Sequence, residues 1–120
     1  MAGGAMKDAR RRARDVVDKF LPVYHRETKE LIGYLTDVTV DGGMLETGEP
    51  LGEEFFPLRI ELADEISGGR HIDIDARCVW TRKDRNAIFH NSGFEFQDIS
   101  SETRTRIAEL AERYRLNISK

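Results

Sequence analysis

Between Phe20 and Phe96 the apolar residues of this chain recur in short runs at every second position. Only beyond Ile99 does the period lengthen, to about 3.6 residues. A period of two buries one face of an extended strand, and the longer one buries one stripe of a helix. Leu58-Arg59-Ile60-Glu61-Leu62 alternates cleanly, as do Ile72, Ile74 and Ala76 against Asp73, Asp75 and Arg77 in a strand continuing through Val79 and Trp80. Phe20, Leu21, Val23 and Tyr24 around Pro22 read as a first strand, Leu31 to Val40 as a second, and Met44 to Glu46 as the start of a third. Ala87 to Phe96 makes the last strand, with an interruption at Asn91 left open. A charged hairpin at His25 to Glu30, a loop from Pro50 to Pro57, and turns at Ser67-Gly68-Gly69-Arg70 and Lys83-Asp84-Arg85-Asn86 connect them. Ser100 or Ser101 is a good helix N-cap, with Glu102 in the first turn. Ile107, Leu110, Ala111 and Tyr114 then share a face. The expectation is an all-β fold with one helix, a small antiparallel barrel whose C-terminal α-helix covers one opening or side.

A chain of 120 residues has room for one domain with a real core. No apolar run reaches membrane-spanning length, so membrane insertion is not expected, and the N-terminus lacks a signal-peptide core. The single cysteine, Cys78, excludes an internal disulfide and suits a reducing cytoplasm. The net charge of −3 argues against DNA or general nucleic-acid binding. That average hides a basic arm, Lys7, Arg10, Arg11, Arg12 and Arg14 against only Asp8, which points to one local anionic partner. Residues 1–9, small and Gly/Ala-rich at their start, read as a disordered tail, and a single domain is expected over 10–117.

One stretch stands out for chemistry: Asp37-Val38-Thr39-Val40-Asp41-Gly42-Gly43. On an extended backbone Asp37 and Thr39 share an exposed face, while Val38 and Val40 point into the core. The Gly42-Gly43 pair permits positive φ and close approach to the backbone, and reads as the turn between two strands. A carboxylate and a hydroxyl beside such a turn suit a polar recognition patch. An ordinary polar strand end leading into a turn fits the same residues.

Three motifs in order give the chain a resemblance to the PilZ domain family. They are Arg10-Arg11-Arg12-Ala13-Arg14 before the first strand, Asp37-Val38-Thr39-Val40-Asp41-Gly42, and Gly93-Phe94-Glu95-Phe96 ahead of Asp98 and the helix. The resemblance runs from about Arg10 to Tyr114. It implies a six-stranded barrel that receives the bacterial second messenger cyclic di-GMP without catalysis and needs no cofactor. It also implies that Arg10 and Arg14 contact guanine edges and phosphates, with Asp37, Thr39 and Gly42 as the floor. Arginine's planar fork matches a phosphate or the O6/N7 edge of guanine, and a carboxylate accepts from guanine N–H groups. Thr39 stands where the family usually has serine. On this view the arm orders over the ligand and reshapes a surface that a downstream protein partner reads. A degenerate PilZ domain acting as a protein-interaction adaptor is the alternative.

Arg11 and Gly43 are supplementary candidates for the site. Trp80 is a third, either stacking on a guanine or packing at the rim of the core. Cys78 reads as a small buried residue. His25, His71 and His90 lack ligand spacing, and no nucleophile–base arrangement supports an enzyme. Asp73 and Asp75 read as solubilising charges. Single-stranded RNA binding would need a basic aromatic face, which these acidic strands do not provide.

Overall fold

Six strands form in the order β1 (Val16–His25), β2 (Leu31–Val38), β3 (Gly42–Thr47), β4 (Phe55–Ile66), β5 (Gly69–Arg82) and β6 (His90–Gln97). One helix, α1 (Ser101–Tyr114), follows them. The structure is a computed structural model and describes residues 16–114. The tail at 1–9, Arg10, Arg11, Arg12, Arg14 and the expected domain end at 117 lie outside the described residues. The strands close into an antiparallel barrel in the order β1-β2-β3-β6-β5-β4.

The alternation in the sequence becomes the barrel wall. Leu58 lies opposite Ile74 and Ile60 opposite Ile72, and all four are buried. The outward positions between them carry charge. Arg59 holds Asp73 through two hydrogen bonds of 2.8 and 3.1 Å, and Arg26 reaches Asp75 at 2.8 Å. The two carboxylates are therefore committed to arginine partners rather than being bare solubilising charges. The Arg59 guanidinium holds the Asp73 carboxyl below its ordinary range.

Several boundaries differ from those the alternation suggests: β1 already starts at Val16 and not Phe20, β4 runs on to Ile66, and three further differences have a local physical reason. β4 begins at Phe55, before Pro57, because that part of the strand pairs with β5 while pairing to β1 starts only at Leu58. On the β1 side Pro57 only accepts, taking the Arg26 amide at 2.7 Å beyond the last β1 pair, so its missing N–H costs no ladder bond. β2 stops at Val38 and β3 starts at Gly42, so the turn is Thr39-Val40-Asp41 and both glycines belong to the ladder. β6 starts at His90 and runs on through Asn91 without a break, whereas the Ala87 amide closes a turn onto Asp84 O at 3.1 Å. That turn leaves Ile88 and Phe89 outside the strand.

Because the strands alternate in direction, the β2–β3 and β4–β5 turns share one end of the barrel, and α1 caps it. The Thr103 amide donates to Ser100 Oγ at 3.1 Å, so Ser100 is the N-cap. Ile107, Leu110, Ala111 and Tyr114 join the barrel residues in one continuous core. Polar contacts fix the helix to the β4–β5 turn: Arg106 donates to Ile66 O at 3.1 Å and Arg113 to Glu65 O at 2.8 Å. Tyr114, 2% exposed, accepts from the Asp64 amide at 2.9 Å and donates to Asp64 Oδ2 at 3.2 Å. Burial raises its phenol pKa and keeps it a donor. Tyr114→Phe keeps the ring and loses both bonds. It is expected to lower stability by about 1 kcal/mol, roughly 5 °C in a thermal melt.

Candidate functional site

Two irregularities in the ladders shape the barrel wall, one near the end of β2 and one near the end of β5. In β2 the register moves between Leu35 and Asp37, leaving Thr36 as an extra residue. In β5 it moves between Cys78 and Trp80, leaving Val79 unmatched against β6. A bulge shifts the in–out parity of everything after it and re-aims the side chains beside it. Between and beside these bulges lies an open cavity of about 260 Å³. Asp37, Thr39, Gly42, Gly43 and Trp80 all border it. Five residues selected from the sequence are thus brought to one place.

Asp37 is not on an exposed face with Thr39. It is 2% exposed, while Thr39 is exposed. The Thr36 bulge is the reason: it interrupts the alternation, so Leu35, Thr36, Asp37 and Val38 are buried in succession. Thr36 itself donates to Met44 O at 3.1 Å, which satisfies its buried hydroxyl. Val38 is buried as expected, whereas Val40, in the turn, is only half-buried.

The Thr39 hydroxyl has a local role. It accepts the Asp41 amide at 3.2 Å, and the Thr39 amide donates to Gly42 O at 2.8 Å. These contacts draw the turn tight without a glycine at its centre. Its other fastening is to the helix, where Arg104 stands 3.6 Å from Asp41 Oδ1. Both side chains are well exposed, so this ion pair is weak.

The glycine pair works differently from a flexible turn. Neither residue has positive φ; among the described glycines only Gly68 does. A Cβ on Gly42 would instead run into the carbonyl oxygen of Phe94 on β6. The bare position serves close strand packing, and the space beside it is already filled by protein.

Trp80 packs at the rim rather than on the helix-facing core. Its indole lies over Gly93, where any Cβ would collide with the ring. The Arg82 guanidinium stands 5.0 Å from the ring centroid, within cation–π range. Val79 and Gly93 also border the cavity, and the sequence reading missed both. The signal was present in Cys78-Val79-Trp80, three apolar residues in a row that a regular alternating strand does not accommodate.

Cys78 lies beneath this bulge, fully buried, with Sγ 3.5 Å from Trp80 O. Burial pushes its thiol pKa up. The folded protein is expected to leave Cys78 unmodified by a soluble thiol reagent at pH 8, with full reaction once denaturant is added. Rapid labelling of the native chain would contradict this.

Among the described residues no group of three or more His, Cys, Asp or Glu side chains is placed to hold a metal ion. No described helix is long and apolar enough to cross a membrane.

Comparison with known proteins gives a family match and a set of related folds. The family model described as PilZ domain matches residues 8–113. The fold is similar to the inhibitor of motility MotI (DgrA) of Bacillus subtilis, with a TM-score of 0.66 and 19% identity. That match covers 86% of this chain but 50% of the other, so the chain spans half the length of the motility inhibitor. It is also similar to the PilZ domain of CeSA from a cellulose-synthesizing bacterium. There the TM-score is 0.51 and the identity 14%, over 81% of this chain and 94% of that one. No curated protein matches the chain.

Proposed function

This chain belongs to the PilZ family, a family of cyclic di-GMP receptors, and from that premise we propose that it is a non-catalytic receptor for this dinucleotide. The observation that supports the reading best is where the N-terminal arm joins the barrel. Val16, the first described residue, is the cross-strand partner of Asp37, which borders the small cavity. Arg14 is two residues upstream, so covalent geometry keeps its Cα within about 7 Å of Val16, and Arg10 within about 21 Å. Both guanidinium groups are therefore in reach of the cavity by chain length alone.

The cavity's size supports a composite site. Pockets for small ligands usually hold about 300–1,000 Å³, and this one falls below that range at about 260 Å³. It suits one guanine, with the phosphates and second base left for the arm. Asp37 accepts from guanine N–H donors, while Arg10 and Arg14 supply paired N–H groups to phosphates or to O6 and N7. Arg11 and the Trp80 face are additional contacts. The arm closes over the ligand, and charge-assisted hydrogen bonds offset the entropy of fixing it. A protein partner then reads the altered surface where arm and barrel meet.

The adaptor reading without nucleotide is favoured by one observation: the Thr39 hydroxyl already serves its own turn. Titration of cyclic di-GMP by calorimetry separates the two. Saturable binding with a defined stoichiometry is expected, and the absence of heat would favour the adaptor.

A further inference from the structure

At the end of the barrel opposite α1, a larger cavity of about 950 Å³ opens to solvent. Leu31, Tyr34, Leu51, Phe56 and Phe89 give it an apolar lining, yet Leu31, Tyr34 and Phe89 keep 47%, 39% and 49% of their surface exposed. Among the described residues its charges are of one sign: Glu30, Glu46 and Glu49 line it, with no lysine or arginine. His25, also in the lining, turns Nδ1 to the amides of Glu27 and Thr28. Such a groove repels a nucleotide or any other anion. Its complement is an apolar side chain carried on a cationic segment.

The β5–β6 connection at the same opening has that composition. It borders the groove through Phe89 and carries exposed Lys83 and Arg85 on either side of the half-buried Asp84, a net positive charge. It also carries Ile88, at 81% the most exposed large apolar side chain among the described residues. An apolar tip this exposed beside an apolar groove marks a contact surface. Groove and tip adjoin on one molecule, so a two-fold axis beside them would seat each tip in the other copy's groove. Every contact would then occur twice, as an isologous interface requires.

We propose that this opening is a homodimer interface in which the Ile88 tip of each copy inserts into the apolar groove of the other, with Lys83 and Arg85 facing Glu30, Glu46 and Glu49. The groove shares no lining residue with the small cavity, so dimerisation and nucleotide binding are tested by separate variants.

Sedimentation equilibrium of the full chain tests this. The native protein is expected to form a dimer, and Ile88→Asp to raise its dissociation constant at least about tenfold, as loss of a central apolar anchor does. Glu49→Arg and Arg85→Glu are each expected to weaken association, and the two combined to restore it, the sign of a direct charge pair. The three positions are exposed, and unchanged thermal melts at dilute concentration confirm intact folding. A chain that stays monomeric up to about 1 mM, where even a weak specific contact populates its complex, would overturn the proposal and leave the groove to a different partner. An Ile88→Asp variant that dimerises like the native chain, or a double charge variant no better than the single ones, would overturn it as well.

Discussion

Gly42→Ala is expected to destabilise the ligand-free protein by about 3 kcal/mol, lowering its melting temperature by roughly 15 °C. The new Cβ meets the Phe94 carbonyl oxygen, a backbone atom held in the β3–β6 ladder. A flexible side chain could move aside, but this oxygen moves only if Gly42 and Glu95 lose register. Gly43→Ala is the graded comparison, because its nearest contact is Asp37 O at 3.0 Å, and a smaller loss is expected there. Gly48→Ala is the control, with nothing within 4 Å of the added carbon. Thermal denaturation without ligand measures all three. If Gly42→Ala melted like the native protein and only lost nucleotide affinity, the glycine would be reserving space for a ligand and not for β6.

The second large effect falls on binding. Replacing both Arg10 and Arg14 by alanine is expected to weaken cyclic di-GMP binding at least about a hundredfold, since charge-assisted hydrogen bonds are worth about 1.5–3 kcal/mol each. The melting temperature of the free protein is expected to stay within roughly 2 °C of the native value, as for other substitutions away from a core. Saturating ligand raises the melting point of the native chain, because it binds only the folded state. In the double variant that rise is expected to vanish. Undiminished affinity by calorimetry would remove the arginines from the site, whereas loss of affinity with a large drop in melting temperature would make them structural.

The barrel and its helix were legible because Leu58 to Leu62, Ile72 to Ala76 and Ile107 to Tyr114 follow a single period along each element. Legibility failed wherever an element broke its own period. Thr36 in β2 took Asp37 from the surface into the interior, and nothing in Leu35-Thr36-Asp37-Val38 announces a bulge, since threonine suits either face. Ala87-Ile88-Phe89 has strand-forming residues, yet the Asp84–Ala87 turn claims that backbone first. Gly42 and Gly43 have the composition of a turn, while the real constraint on Gly42 is the distance to β6, a partner about fifty residues away in sequence. Local pattern carries no information about such a contact. The residues around the small cavity could be gathered because their motif is short and contiguous, with Trp80 added as an aromatic at a strand end. The second cavity escaped notice because its lining comes from many separate segments, none with a motif.

The closed ladder also limits how this molecule can meet others. A row of unsatisfied backbone N–H and C=O groups is a template on which foreign chains, or copies of the same one, can add a strand and grow into fibrils. Each of the six strands here already has a hydrogen-bonded neighbour on both sides. Over those paired stretches recognition runs through side chains and loops, where single substitutions can retune it without touching the backbone scaffold.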